Sequence, residues 1–395
     1  MKKFFFPFLL IFPLLVSAQV PQSHHVVIVL EENQSYSSVI GSASMPYLNS
    51  LAAKNTLATQ YYANTHPSIG NYFMLTAGQI VTNNDGLNST VNVDNIVRHL
   101  LSAGLTWKSY AESLPYVGYT GGDRYPYVRH HNPLSYFNDV VNSSVQKLNL
   151  VPFTHFAADL ANGQLPNYSF IVPNMNHNAH DCPSGMSSCT NAQKLAAADA
   201  WLKNNIAPLL NNPEFQQDAI LIVLFDEGYS GDTAHGGGHI AAVVVGPKVR
   251  KGFKSTAFYQ HQNMLRTTLD ALQVKSYPGA AASARDMSDA FNTGGSAPLP
   301  PTSSPNCSAA VTGVTVCSPA AKSTVGSPVH FVTAARSANP ITSMRIYVDN
   351  VSQYHVSASS LDTSLGMSSG RHSIVVQAWD STGAVFKSAL TIQVP

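Results

Sequence analysis

Ala219–Phe225 reads Ala-Ile-Leu-Ile-Val-Leu-Phe and stops at Asp226-Glu227-Gly228. An unbroken apolar run of this length, without alternation, is the pattern of a strand buried on both faces, as in a parallel sheet. Val26–Leu30 repeats it and ends in Glu31-Glu32-Asn33. Ala241–Val245 is a third such run, halted by Gly246-Pro247, and Ser169–Val172 a weaker fourth. Helical spacing fills Met45–Lys54, Val93–Ala103, Ala192–Leu210 and Gln262–Leu272. Strands alternating with helices predict an α/β domain whose mostly parallel sheet is flanked by helices. Open α/β sheets bind ligands at the carboxyl ends of their strands. Two of these strands end in acidic clusters, where unpaired carboxylates are costly. A metal ion or a phosphate-binding apparatus explains both clusters; acids capping the next turn explain either one alone.

The remaining sequence sets compartment and organisation. The chain has 395 residues, 22 basic and 21 acidic, so only 11% are charged and the net charge is +1. That balance, with 44% hydrophobic residues, excludes intrinsic disorder. No basic block appears, so neither nucleic acid nor an anionic membrane is an expected partner. Met1-Lys2-Lys3, the apolar stretch Phe4–Val16 and the small residues Val16-Ser17-Ala18 read as a signal peptide over 1–18. The protein is therefore expected to be secreted or periplasmic, with no transmembrane anchor. Four cysteines in two close pairs, Cys182/Cys189 and Cys307/Cys317, fit two local disulfides in an oxidising compartment. The α/β domain, over 19–292, is followed by a Gly/Pro/Ser linker at 293–306. Beyond it, 307–395 alternates apolar and polar residues at His330–Ala334, Ser343–Asp349, His372–Asp380 and Ala389–Val394. This predicts an immunoglobulin-like β-sandwich, with surface or carbohydrate binding and a purely structural role both open to it.

Twelve of the 15 histidines precede the linker, several in polar loops. These include Thr65-His66-Pro67-Ser68, Arg129-His130-His131-Asn132-Pro133, Asn176–Asp181 and Ala234–His239. Loops held by a rigid scaffold are where function concentrates. A lone loop histidine is commonly surface filler, but four such loops in one domain point to a site. Tyr110, Tyr116, Tyr119, Tyr125 and Tyr127 cluster before the His130-His131 pair. They suit either an aromatic rim or, for most of them, packing.

Six motifs then occur in order: Glu32-Asn33-Gln34-Ser35-Tyr36, Thr65–Tyr72, Val128–Pro133, Val172-Pro173-Asn174, Phe225-Asp226-Glu227 and Tyr259-Gln260-His261. Over about residues 24–275 the chain resembles the secreted phosphoesterase family of bacterial phospholipases C, the acid phosphatase A type and fungal acid phosphatases. The resemblance implies an alkaline-phosphatase-like core. It implies that Ser68 is the nucleophile and that Glu32, Asn33, Ser68, Asp226 and Glu227 are metal or phosphate-site ligands. It places His131, His130 and His180 in the pocket. A carboxylate and amide set suits Mg²⁺, Ca²⁺ or Mn²⁺, and imidazoles can bind phosphate oxygens or protonate a leaving alkoxide. Asp123 is a further pocket candidate, and His261 either joins the site or caps a helix. Asp232-Thr233-Ala234-His235 is spaced differently from phospholipase C members, which argues against a second metal position. His239 stands where relatives often carry Arg. The expectation is hydrolysis of phosphate monoesters through a Ser68 phospho-enzyme, the substrate being a phosphorylated small molecule or lipid head group. The alternatives are a phospholipase C-type phosphodiesterase and a non-catalytic anion- or surface-binding protein.

Overall fold

In the computed structural model, which describes residues 19–292, 307, 309, 311–326, 329–356, 358–365 and 367–395, the two decisive runs are adjacent strands. The expected signal segment and linker lie outside the described residues. Strand β1 (Val26–Glu31) runs parallel to β6 (Ile220–Phe225), pairing Val26 with Ile220 and Glu31 with Phe225. Every residue of both strands is buried. That is why their sequences show no polar alternation.

Six further strands complete the sheet. They are β2 (Thr56–Ala58), β3 (Trp107–Ala111), β4 (Leu150–Pro152), β5 (Tyr168–Val172), β7 (Ala242–Val245) and β8 (Phe253–Ser255). Their order is β4-β3-β5-β1-β6-β7-β2-β8. Only β7 is antiparallel to its neighbours β6 and β2, so the sheet is mostly parallel, as expected.

The helices in chain order are α1 (Tyr36–Val39), α2 (Pro46–Lys54), α3 (Ser68–Ala77), α4 (Ile96–Ser102), α5 (Asn138–Val141), α6 (Thr154–Ala161), α7 (Asn191–Leu210), α8 (Pro213–Asp218) and α9 (His261–Ala271). Four match the expected helical stretches to within three residues at either end. Helix α3 was not expected. All ten of its residues are buried, so it lacks the polar face that reveals an amphipathic helix.

Among the described residues the C-terminal region holds seven strands. β9 (Gly313–Ser318), β10 (Val329–Arg336) and β13 (Ser360–Leu365) form one antiparallel sheet. β11 (Ile341–Val348), β12 (Val351–Val356), β14 (Gly370–Asp380) and β15 (Val385–Val394) form the other. Alternate residues of β14, among them Ile374, Val376 and Ala378, point into a core shared with Phe331 and Leu361 of the first sheet. The result is a two-sheet sandwich. Both expected disulfides are formed, Cys182–Cys189 and Cys307–Cys317.

Candidate active site

The site is assembled where β1 and β6 end. The paired strands deliver Glu32 and Asp226 side by side, and Asp226 N–H donates to Glu31 O at 2.9 Å. Strand geometry sends successive side chains to opposite faces, so Glu31 leaves the site. Its carboxylate is buried with no hydrogen-bond partner. Burial, then the Glu112 and Asp199 charges, pushes it well above the usual carboxylate range.

Asn33 makes the turn out of β1 at φ 46°, a left-handed conformation that Asn tolerates better than most residues. Its backbone N–H donates to Asp226 Oδ1 at 2.9 Å. Helix α3 starts at Ser68 and brings that hydroxyl to 3.1 Å from Glu32 Oε2 and 3.2 Å from Asn33 Oδ1. Ser68, Glu32, Asp226 and Glu227 are all buried.

The inward-facing atom of the Asn33 amide lies 3.1 Å from Glu32 Oε2, 3.2 Å from Ser68 Oγ, and 3.0 and 3.3 Å from the two Asp226 oxygens. With oxygen in that position, acceptors face acceptors. Either the amide turns over to donate, or a cation sits among the oxygens. An all-oxygen set of two carboxylates, an amide and a hydroxyl fits a hard divalent ion. Among the described residues no three His, Cys, Asp or Glu side chains converge on a metal position. The fit therefore depends on Asn33 and Ser68.

Glu227 faces elsewhere: its Oε2 lies 3.2 Å from His66 Nδ1 and accepts from Asn71 Nδ2 at 3.3 Å. Burial, reinforced by Asp226, raises the pKa of Glu32 well above its ordinary value. Asp226 is raised likewise by burial and then by Glu227. Two adjacent carboxylates that resist ionisation form a place where positive charge is favoured.

The match with known proteins follows this geometry. A model described as the Phosphoesterase family matches residues 42–275. The chain belongs to the Phosphoesterase family. It is 33% identical over 250 residues to a probable acid phosphatase of Kluyveromyces lactis, covering 60% of this chain and 55% of that one. It is 35% identical over 229 residues to a phosphate-repressible acid phosphatase of Penicillium chrysogenum, covering 55% and 52%. A phosphatidylinositol-3-phosphatase of Mycobacterium tuberculosis is 33% identical over 277 residues, covering 70% of this chain and 85% of that protein. The chain spans about half the length of the two fungal relatives. A Vibrio parahaemolyticus protein of the alkaline phosphatase superfamily aligns with TM-score 0.51 and 16% identity, over 92% of this chain and 81% of that one. It shows the shared fold.

In this phosphoesterase-family chain the remaining expected residues take distinct places. His131 Nε2 lies 3.3 Å from Glu32 Oε2, and its ring stacks on Tyr72 with centroids 5.4 Å apart. Burial pushes it well below the ordinary imidazole value. His130 packs edge-on against His131 at 4.4 Å and is also lowered by burial. Their segment is pinned by Arg129 N–H donating to Asp123 Oδ1 at 2.8 Å and by Ser109 Oγ donating to Asn132 Oδ1 at 2.8 Å. Asp123 therefore holds this loop.

His180 is exposed and lines a cleft of about 330 Å³ that also touches Asn33. His66 is raised to about 9, chiefly by the Glu227 carboxylate 3.2 Å from its Nδ1. His261 does not cap α9. Its Nε2 bonds Asp226 O at 2.6 Å, while Gln260 and Asn263 form the capping box. His239 stacks between Tyr36 and Tyr62, and His235 lies edge-on to Tyr62. Asp232 accepts from Ser35 Oγ at 2.9 Å.

Two residues without an expected role belong to the site. Tyr72 donates its hydroxyl to Glu32 Oε1. Asn71 Oδ1 accepts from Asn64 N–H at 2.9 Å and Thr65 N–H at 3.2 Å, and Asn71 Nδ2 donates to Thr65 O at 2.8 Å. With Ser68 they occupy i, i+3 and i+4 of α3, one helix face. Of the five clustered tyrosines, Tyr110, Tyr119 and Tyr127 are buried packing residues. Tyr116 and Tyr125 are 62% and 73% exposed.

Proposed function

We propose that the protein is a secreted hydrolase of phosphate monoesters, acid-phosphatase-like, acting through a phosphoserine on Ser68. The observation that carries this reading is the convergence of Ser68 Oγ with Glu32, Asn33 and Asp226 at the start of α3. The family and the acid phosphatase relatives support it. The two disulfides suit export, and no described helix is long and apolar enough to cross a membrane.

Glu32, Asn33, Asp226 and Ser68 would hold the divalent ion, with Glu227 bracing His66 and Asn71 beside them. A bound ion supplies positive charge that eases ionisation of a coordinated hydroxyl and neutralises phosphoryl oxygens. The N-terminus of α3 adds a favourable dipole for negative charge. Ser68 passes its proton to Glu32 Oε2, to which its hydroxyl donates at 3.1 Å, and attacks phosphorus as the bond to the leaving group breaks. His180, exposed on the cleft, protonates the departing alkoxide. Water then attacks the phosphoserine, releasing phosphate and restoring Ser68. His131, kept neutral by burial, orients Glu32, and His130 packs behind this role. The C-terminal sandwich contains none of these residues; spacing or surface attachment is its proposed part.

The test is p-nitrophenyl phosphate hydrolysis from acid to alkaline pH, with and without chelator, beside Ser68→Ala. The reading predicts chelator-sensitive turnover that Ser68→Ala loses. Turnover of phosphatidylcholine without monoester cleavage would instead favour the phosphodiesterase reading.

A further inference from the structure

The cleft beside Asn33 is lined by Gln34, His180, Asn191, Lys194 and Tyr229 as well as Asn33 itself. At about 330 Å³ it has room for a small ligand fragment, and its wall is polar apart from the Tyr229 ring. Asn33 Oδ1 also accepts from Ser68 Oγ at 3.2 Å, so the cleft and the Ser68 cluster share Asn33 as a common wall.

The wall is held in shape by its own bonds. Gln34 Nε2 donates to Ala179 O at 2.7 Å and to Asn191 Oδ1 at 2.8 Å, and Asn191 Nδ2 donates back to Gln34 Oε1 at 3.1 Å. The Cys182–Cys189 disulfide closes the loop between His180 and the start of α7, which carries Asn191 and Lys194. The Thr190–Gln193 capping box fixes that start. The acid on this rim, Asp181, is engaged by Asn178 Nδ2 at 3.1 Å and lies 3.5 Å from His180 Nδ1. Lys194 acts on Asp181 through its charge but makes no ion pair among the described residues. A half-buried lysine without an ion-pair partner among the described residues, on the wall of a preorganised polar cleft that shares Asn33 with the Ser68 cluster, is a recognition element for negative charge.

Resting on the phosphatase reading above, we infer that this cleft receives the leaving group, and that Lys194 selects phosphomonoesters whose leaving group carries a second anionic group.

The matched probes are propyl phosphate and 1,3-propanediol bisphosphate, which share the carbon chain and differ in the second phosphate group. With full-length protein, the ratio of their kcat/KM values should favour the bisphosphate by well over the two-fold statistical factor. Lys194→Met should lower that ratio about ten-fold, the usual size of one charge-assisted contact. Lys194→Arg should restore most of it, and a thermal melt of each variant checks folding. If p-nitrophenyl phosphate is hydrolysed but wild type shows no preference, or Lys194→Met keeps the ratio, this inference alone is overturned. If the wild type hydrolyses no monoester at all, the phosphatase reading fails and the inference falls with it.

Discussion

Glu32 is satisfied on both oxygens: Tyr72 donates to Oε1, and Ser68 donates to Oε2 with His131 beside it. Tyr72→Phe removes one donor from a fully buried carboxylate and adds nothing in its place. The expected loss is about 1–3 kcal/mol of stability by urea titration, with a fall in phosphomonoester kcat. Unchanged stability would mean that Tyr72 does not hold Glu32. The acidic character of the two strand ends was readable from sequence, because carboxylates beside buried apolar runs need a reason. Which acid turns inward was given only by the motif resemblance, which names Glu32, and not by the residues themselves. Glu31 and Glu32 differ only in strand parity, and that parity is set by the register of β1 against β6. The place of Ser68 came from motif resemblance, since a lone serine after Pro67 has no chemical signature of its own. Asn71 and Tyr72 lie within the Thr65–Tyr72 motif but showed no role in the sequence, because their roles depend on α3 being a helix.

Among the elements, β1 and β6 were legible because central parallel strands are apolar throughout. β2, β4 and β8 have three residues each, too few for any period to show. β3 (Trp-Lys-Ser-Tyr-Ala) carries polar residues that find partners only in the tertiary structure: Ser109 bonds Asn132, and Lys108 Nζ reaches Asp159 at 2.6 Å. Helix α7 was visible through its amphipathic length, and its start is fixed by Thr190, whose side chain accepts from Gln193 N–H. Thr190→Ala removes that cap and should cost about 1 kcal/mol, read as a lowered melting temperature. Because α7 carries Asn191 and Lys194, the same variant should also weaken the preference for a second charge in the substrate. A loss of stability with the preference intact would separate the helix cap from the cleft.

At the scale of the molecule, the buried residues among those described form two hydrophobic cores, one built on the eight-stranded sheet and one on the sandwich. They share no residue. Calorimetry should therefore resolve two unfolding transitions, since cooperativity follows the packed core. A ligand that binds only the folded state raises the stability of the unit that holds it, so Mn²⁺ or Mg²⁺ should raise one transition and leave the other in place. A single transition, or equal shifts in both, would show that the cores unfold as one unit. The alternation in β14 and β15 made the sandwich readable, while β9, β12 and β13 were not anticipated. The central claim is that Ser68 carries the phosphoryl group during turnover. The most direct measurement is acid quenching of the protein during hydrolysis of a radiolabelled phosphomonoester, followed by peptide mapping, with Ser68→Ala alongside. The account predicts label on the peptide containing Ser68, at a level that rises and falls with turnover, and none in the variant. Steady turnover without labelled protein, or turnover that persists in Ser68→Ala, would contradict it.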